Sequence, residues 1–210
     1  MLQFRGNRTG ISIHAKVLFV CLLTAVLIGG APVRAIAQSS GPPEIALDGV
    51  ARTGTDSRQV VFRFFCSPNE GPNLTGVLSV ELQVSHYEQL RTVFDFIPFE
   101  GPDANAGPLS ALLANGVRTN ASDRFTASGS IVPSGSSEAF VLEVTASRRE
   151  RGPLRKLATV LRPLIDGPGQ LAWRQGNAKP GGTPMNASLD LTQAQADQLK
   201  SGLGPCLRAQ

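Results

Sequence analysis

The chain has 210 residues, of which 41% are hydrophobic and 17% charged, with 20 Lys+Arg against 16 Asp+Glu. Four of the basic residues (Arg5, Arg8, Lys16 and Arg34) precede residue 38 and no acidic residue does, so residues 38–210 hold 16 of each sign. The net charge of +4 therefore belongs to the N-terminal segment. It gives no ground for a nucleic-acid partner or for a general pull toward anionic membranes.

Residues 1–37 read as a cleaved secretory signal peptide. A basic start is followed by the apolar run Val17–Ile28 and by Ala35-Ile36-Ala37, a small-x-small cleavage site before Gln38. The run is shorter than the ~20 residues a membrane-spanning helix needs, and Arg34 interrupts any extension of it. No Arg-Arg pair precedes it, so the route is Sec-type rather than twin-arginine. Val20 before Cys21 speaks against a lipoprotein-type cysteine. The expected destination is the periplasm or the cell exterior. No second long apolar segment follows, so no integral membrane association is expected after cleavage.

Export also governs the cysteines. Cys21 leaves with the leader, and Cys66 and Cys206 remain as an even pair in an oxidising compartment, where a disulfide forms and persists. Such a bridge closes a loop of about 140 residues, for which chain-entropy models give roughly 4–5 kcal/mol. The rival reading is two free buried thiols. No Cys-x-x-Cys spacing supports a redox pair.

Residues 38–43 are a polar, Pro/Gly-rich lead-in, and residues 44–210 are expected to form one domain. Strand-like alternation runs through Thr75–Val84, with Leu78, Val80, Leu82 and Val84 on one face. It recurs in Arg124–Ile131 and in Glu138–Ala146, which flank a hairpin-like loop at Pro133–Ser137. Residues 44–51, 59–66, 169–175 and 184–191 are further strand candidates. Pro153 suits a first helical residue, and Leu154, Leu157, Val160, Leu161 and Leu164 continue an apolar stripe toward Ile165. Ser85-His-Tyr-Glu88 and Thr192-Gln-Ala-Gln195 both fit a capping box opening helices near 86–93 and 193–201, and Pro108–Ala114 offers one more turn or two. Each box follows an aromatic-Arg strand (Phe62-Arg63 and Trp173-Arg174), which suggests a β-β-α unit used twice. The expected fold is α+β, a mainly antiparallel sheet with three or four short helices on one face. A two-sheet β-sandwich with peripheral helices is the runner-up.

Motifs of common chemistry are missing. His86 is the one imidazole after residue 37, and no Gly-x-Ser-x-Gly elbow, His-Glu-x-x-His zinc signature or phosphate loop is present. No catalytic residue, metal site or cofactor is assigned. Two stretches stand out instead. Phe94-Asp-Phe-Ile-Pro-Phe-Glu-Gly-Pro-Asp103 offers Phe94, Phe96, Phe99, Glu100 and Asp103 as a ligand-binding loop, against the plainer reading that its rings plug a sheet. Arg148, Arg149, Arg151, Arg155 and Lys156, with Arg162, give a local excess of +5 over residues 148–162, offset by −5 elsewhere in residues 38–210. That patch suits an anionic envelope component, against the plainer reading of a solvated helix face. Asn73, Asn120 and Asn186 head glycosylation sequons, which matter only in a eukaryotic secretory route. The expected function is a non-enzymatic binding or envelope-associated module. The alternative is a secreted hydrolase using carboxylates such as Asp95, Glu100 or Asp103 as acid and base.

Overall fold

A computed structural model of the protein describes residues 44–68, 76–102, 104–115, 117–118, 124–135, 137–147 and 149–208. They belong to one compact unit, Gly41–Gln210. Residues 1–43, which hold the expected leader and lead-in, and Asn73, Asp103, Asn120 and Arg148 lie outside the described residues.

The strands are β1 (Glu44–Thr53), β2 (Asp56–Ser67), β3 (Val77–Ser85), β4 (Ser110–Ala114), β5 (Val117–Arg118), β6 (Ser128–Ser134), β7 (Ser137–Ser147), β8 (Gly169–Gln175) and β9 (Met185–Leu191). All nine form one sheet in the order β5-β4-β8-β9-β1-β2-β3-β7-β6, and every neighbouring pair is antiparallel. The described residues contain two α-helices, α1 (Arg151–Leu161) and α2 (Gln193–Arg208), with short 3-10 helices at Tyr87–Leu90, Ile97–Phe99 and Arg162–Ile165.

The expected α+β class is corrected by this arrangement. The described residues are mostly β, a single curled sheet of half-barrel form with two α-helices. The two-sheet sandwich is corrected with it, because one continuous sheet holds every described strand. The missing helices have local causes. At Ser85 the capping box does not form. His86 instead takes a left-handed conformation (φ 52°) with no side-chain cap, and the chain makes one 3-10 turn. Residues 110–114 alternate buried and half-buried and pair with β8, so they form a strand rather than a helical turn.

At Thr192 the same motif works. The Thr192 N–H donates to Gln195 Oε1 at 2.9 Å, and the Gln195 N–H donates to Thr192 Oγ1 at 3.3 Å. The helix then continues to Arg208, beyond the expected end near 201. Gly202 does not stop it. A Cβ there would overlap the Ile45 side chain, so the glycine lets α2 lie close on β1. The suggested repeat reduces to its strands: β2–β3 and β8–β9 are both antiparallel neighbours, but a 3-10 turn follows one and a 16-residue helix the other. Pro153 is the third residue of α1 rather than the first.

Alternation sends one set of side chains to the covered inner face. Phe62, Phe64, Leu78, Val80, Leu82, Phe140, Leu142, Val144, Leu171 and Trp173 are all 1% exposed or less. Helix α2 packs Ala196, Leu199, Leu203 and Leu207 against β1, β2 and β3, and α1 packs Leu154, Leu157 and Leu161 against β3, β4 and β7. Cys206, near the end of α2, is joined to Cys66, near the end of β2, with the two Cα atoms 5.9 Å apart. Arg162 adds a second tie, its guanidinium donating to the Leu207 carbonyl at 2.9 Å. Replacing both cysteines by alanine is expected to lower the unfolding free energy by about 2–5 kcal/mol with the sheet retained. Urea denaturation followed by circular dichroism checks this.

Candidate functional site

The first expected site, the aromatic loop, is core on its inward side. Phe94, Phe96 and Phe99 are at most 3% exposed, whereas Ile97 is 65% exposed. The rings pack on one another and on the sheet. Phe94 and Phe96 centroids are 4.8 Å apart, Phe96 and Phe140 also 4.8 Å, and Tyr87 makes an edge contact with Phe96 at 5.4 Å. Gly129 makes room for this, since a Cβ there would overlap the Phe140 ring. Backbone bonds hold the loop to itself and to the sheet, from Phe94 N–H to Leu90 O, Phe99 N–H to Phe96 O and Gly101 N–H to Gly129 O. Of the loop's acids, Asp95 accepts the Ile97 N–H at 3.2 Å, Glu100 is exposed, and Asp103 lies outside the described residues. The loop thus leaves neither Phe94, Phe96 nor Phe99 free to meet a ligand.

The basic patch is a surface feature. Arg149, Arg151, Arg155 and Lys156 are exposed. Arg151 and Arg155 stand one turn apart on α1, and Arg149, Arg151 and Arg155 form no ion pair with a described residue. The first turn of α1 holds no acidic residue, and Glu150 at its N-cap makes no side-chain cap. Arg151 therefore faces the positive end of the helix dipole, and the Arg151/Arg155 pair repels at the spacing where helix neighbours meet. Arg162 is distinct, being engaged with the end of α2.

A carboxylate pair that the sequence reading did not single out lies on the outer face. Glu81 of β3 is directly opposite Glu143 of β7 on one side and Arg63 of β2 on the other. Arg63 pairs with Glu44 and donates to Gln83 at 2.9 Å, and Thr145 donates to Glu143. Burial, then the Glu143 and Glu44 charges, hold the Glu81 carboxyl above the ordinary carboxylate range, with Arg63 opposing. Both acids fall on outward positions of alternating strands, which is legible in sequence. Their opposition depends on register, which is not.

His86 serves as a backbone corner. Its N–H donates to the Glu138 carbonyl at 3.2 Å and its own carbonyl accepts from Arg58 at 2.9 Å. Histidine is among the residue types enriched in this left-handed conformation. No group of three His, Cys, Asp or Glu is placed to hold a metal ion among the described residues. No family model, curated protein or solved structure matches the chain.

Two outcomes follow from these placements. Phe99→Ala is expected to cost about 3–5 kcal/mol, while Ile97→Ala in the same loop stays within about 0.5 kcal/mol; urea midpoints of the two variants check the contrast. For Glu81, the native state holds the proton more tightly than the unfolded chain does. Stability therefore falls as pH rises from the ordinary carboxylate pKa through the raised native one. Glu81→Gln should raise the unfolding free energy at pH 7 by a few tenths to about 1 kcal/mol, the range for cross-strand pairs. That gain should vanish near pH 3, and denaturation at the two pH values measures it.

Proposed function

We propose that the protein is an exported, non-enzymatic binding module of the cell envelope that holds an anionic envelope component on the exposed face of α1. Export rests on the leader, with cleavage after Ala37. The contact rests on Arg149, Arg151, Arg155 and Lys156. One observation carries the reading: Arg151 and Arg155 stand on one helix row with no ion pair to a described residue, Arg151 at the dipole end that disfavours cations, without an acid in the first turn. Helix energetics alone favour neither charge there. An anionic ligand reverses the sign of both effects, and arginine's planar fork suits phosphate or carboxylate groups. The hydrolase alternative finds no comparable support. Asp95 is engaged with the Ile97 N–H, and Glu100 is exposed.

The test is retention of residues 38–210 on a phosphocellulose column. Retention that weakens with rising salt is expected, with strong loss of it in the Arg151→Ala/Arg155→Ala variant. The same variant should match or exceed the parent in stability by a few tenths of a kcal/mol. Equal retention of parent and variant, or a marked loss of stability in the variant, contradicts the proposal.

A further inference from the structure

The β8–β9 loop and the segment after β3 enclose a cleft of about 430 Å³. One wall carries Arg91, Val93 and Asp95, and the other Asn177, Lys179 and Gly182. These walls are fixed to one another across 84 residues of sequence. The Asn177 side-chain amide donates to the Val93 carbonyl at 3.0 Å and to the Thr183 carbonyl at 3.2 Å, while its oxygen accepts the Lys179 N–H at 3.1 Å. Gly181 makes the turn with φ 72° (a conformation that side chains resist), and a Cβ on Gly182 would collide with the Asn177 amide. The cleft is therefore formed in advance of any ligand, which lowers the ordering cost of binding.

Its lining is selective. Arg91 and Lys179 bring one cation from each wall, and neither is in an ion pair with a described residue. Asp95 is the one carboxylate among the lining residues, and one of its oxygens already accepts the Ile97 N–H. Val93 keeps 39% of its surface exposed, one of three large apolar side chains exposed among the described residues, with Ile97 and Ile131. We propose that this cleft binds a small organic anion. The phosphate or carboxylate head would lie between Arg91 and Lys179, and a short apolar body would lie on Val93. The volume falls in the lower part of the range for small-molecule sites. This inference is independent of the α1 face.

The experiment is titration of 15N-labelled residues 38–210 with phenyl phosphate, phenylacetate and benzyl alcohol, which share an aromatic body and differ in head group. Saturable shifts of amides in 91–95 and 177–183 are expected for at least one anion, and none for benzyl alcohol. A response to phenyl phosphate alone assigns the head as phosphate, and a response to phenylacetate alone assigns it as carboxylate. Arg91→Ala/Lys179→Ala should weaken the binding at least tenfold at an unchanged melting temperature, and Lys179→Gln alone should weaken it less. Arg151→Ala/Arg155→Ala should leave it unaltered. Failure to saturate with either anion, equal response to benzyl alcohol, or binding that survives the double variant overturns the proposal. Shifts confined to α1 also overturn it, and they would support the α1 face instead.

Discussion

One constraint shapes the rest of the molecule: a single sheet with an apolar inner face and, among the described residues, no second sheet to cover it. Strand alternation places Phe62, Phe64, Leu82, Phe140, Leu142 and Trp173 on that face, and each such side chain gains about 1.5–3 kcal/mol only when water is excluded. In a half-barrel the cover must come from elsewhere in the chain. Two helices supply one part and the loop after β3 supplies the other. Helix α2 lies close because Gly202 carries no Cβ toward Ile45, and the Cys66–Cys206 bridge and Arg162 fasten its far end. The loop contributes Tyr87, Phe94, Phe96 and Phe99 beside Phe140. Phe140 sits toward the start of β7, whereas Cys66 and its partner Leu78 sit toward the opposite strand ends. The two plugs thus serve different ends of one core.

Filling the inner face leaves chemistry to the outside. The outward positions of β1, β2, β3 and β7 carry Glu44, Arg63, Glu81 and Glu143, and α1 carries an arginine row without an ion pair among the described residues. Residues 38–210 are neutral in sum, so the +5 of residues 148–162 is matched by acids elsewhere. Cations collected on one element are what a directed electrostatic contact needs, and a neutral total avoids general adhesion to anionic surfaces.

Most strand positions were legible in the sequence because period-two alternation is a local property, but β4 was read as a helical turn. The runs read at 44–51, 59–66 and 169–175 lie in β1, β2 and β8, and the run at 184–191 begins one residue before β9. Sheet order, register and curl are long-range properties and left no such mark. The two capping-box motifs show where local reading ends. After Thr192, Ala196, Leu199 and Leu203 recur on one helical face and find the sheet beneath them. After Ser85, Tyr87, Leu90, Phe94 and Phe96 each bury as well, but toward a core that a straight helix would not serve, and His86 turns the chain first. The phenylalanine loop had two readings for the same reason, since an apolar run near acids looks alike whether it plugs a core or greets a ligand. Cys66–Cys206 was legible because only two cysteines follow residue 37. The Arg91–Lys179 cleft was not, because its walls meet only through the folded sheet.

The loop that follows β3 is held as core rather than as a surface segment, and native-state hydrogen exchange reads this directly. The amides of Phe94, Phe99 and Gly101 donate within the loop or to β6. They should exchange slowly, with opening free energies near those of β3 and β7, because the rings they carry or flank fill the same core. Exchange of these amides at the rate of an open loop, while β3 and β7 stay protected, would contradict the structure described for the inner face.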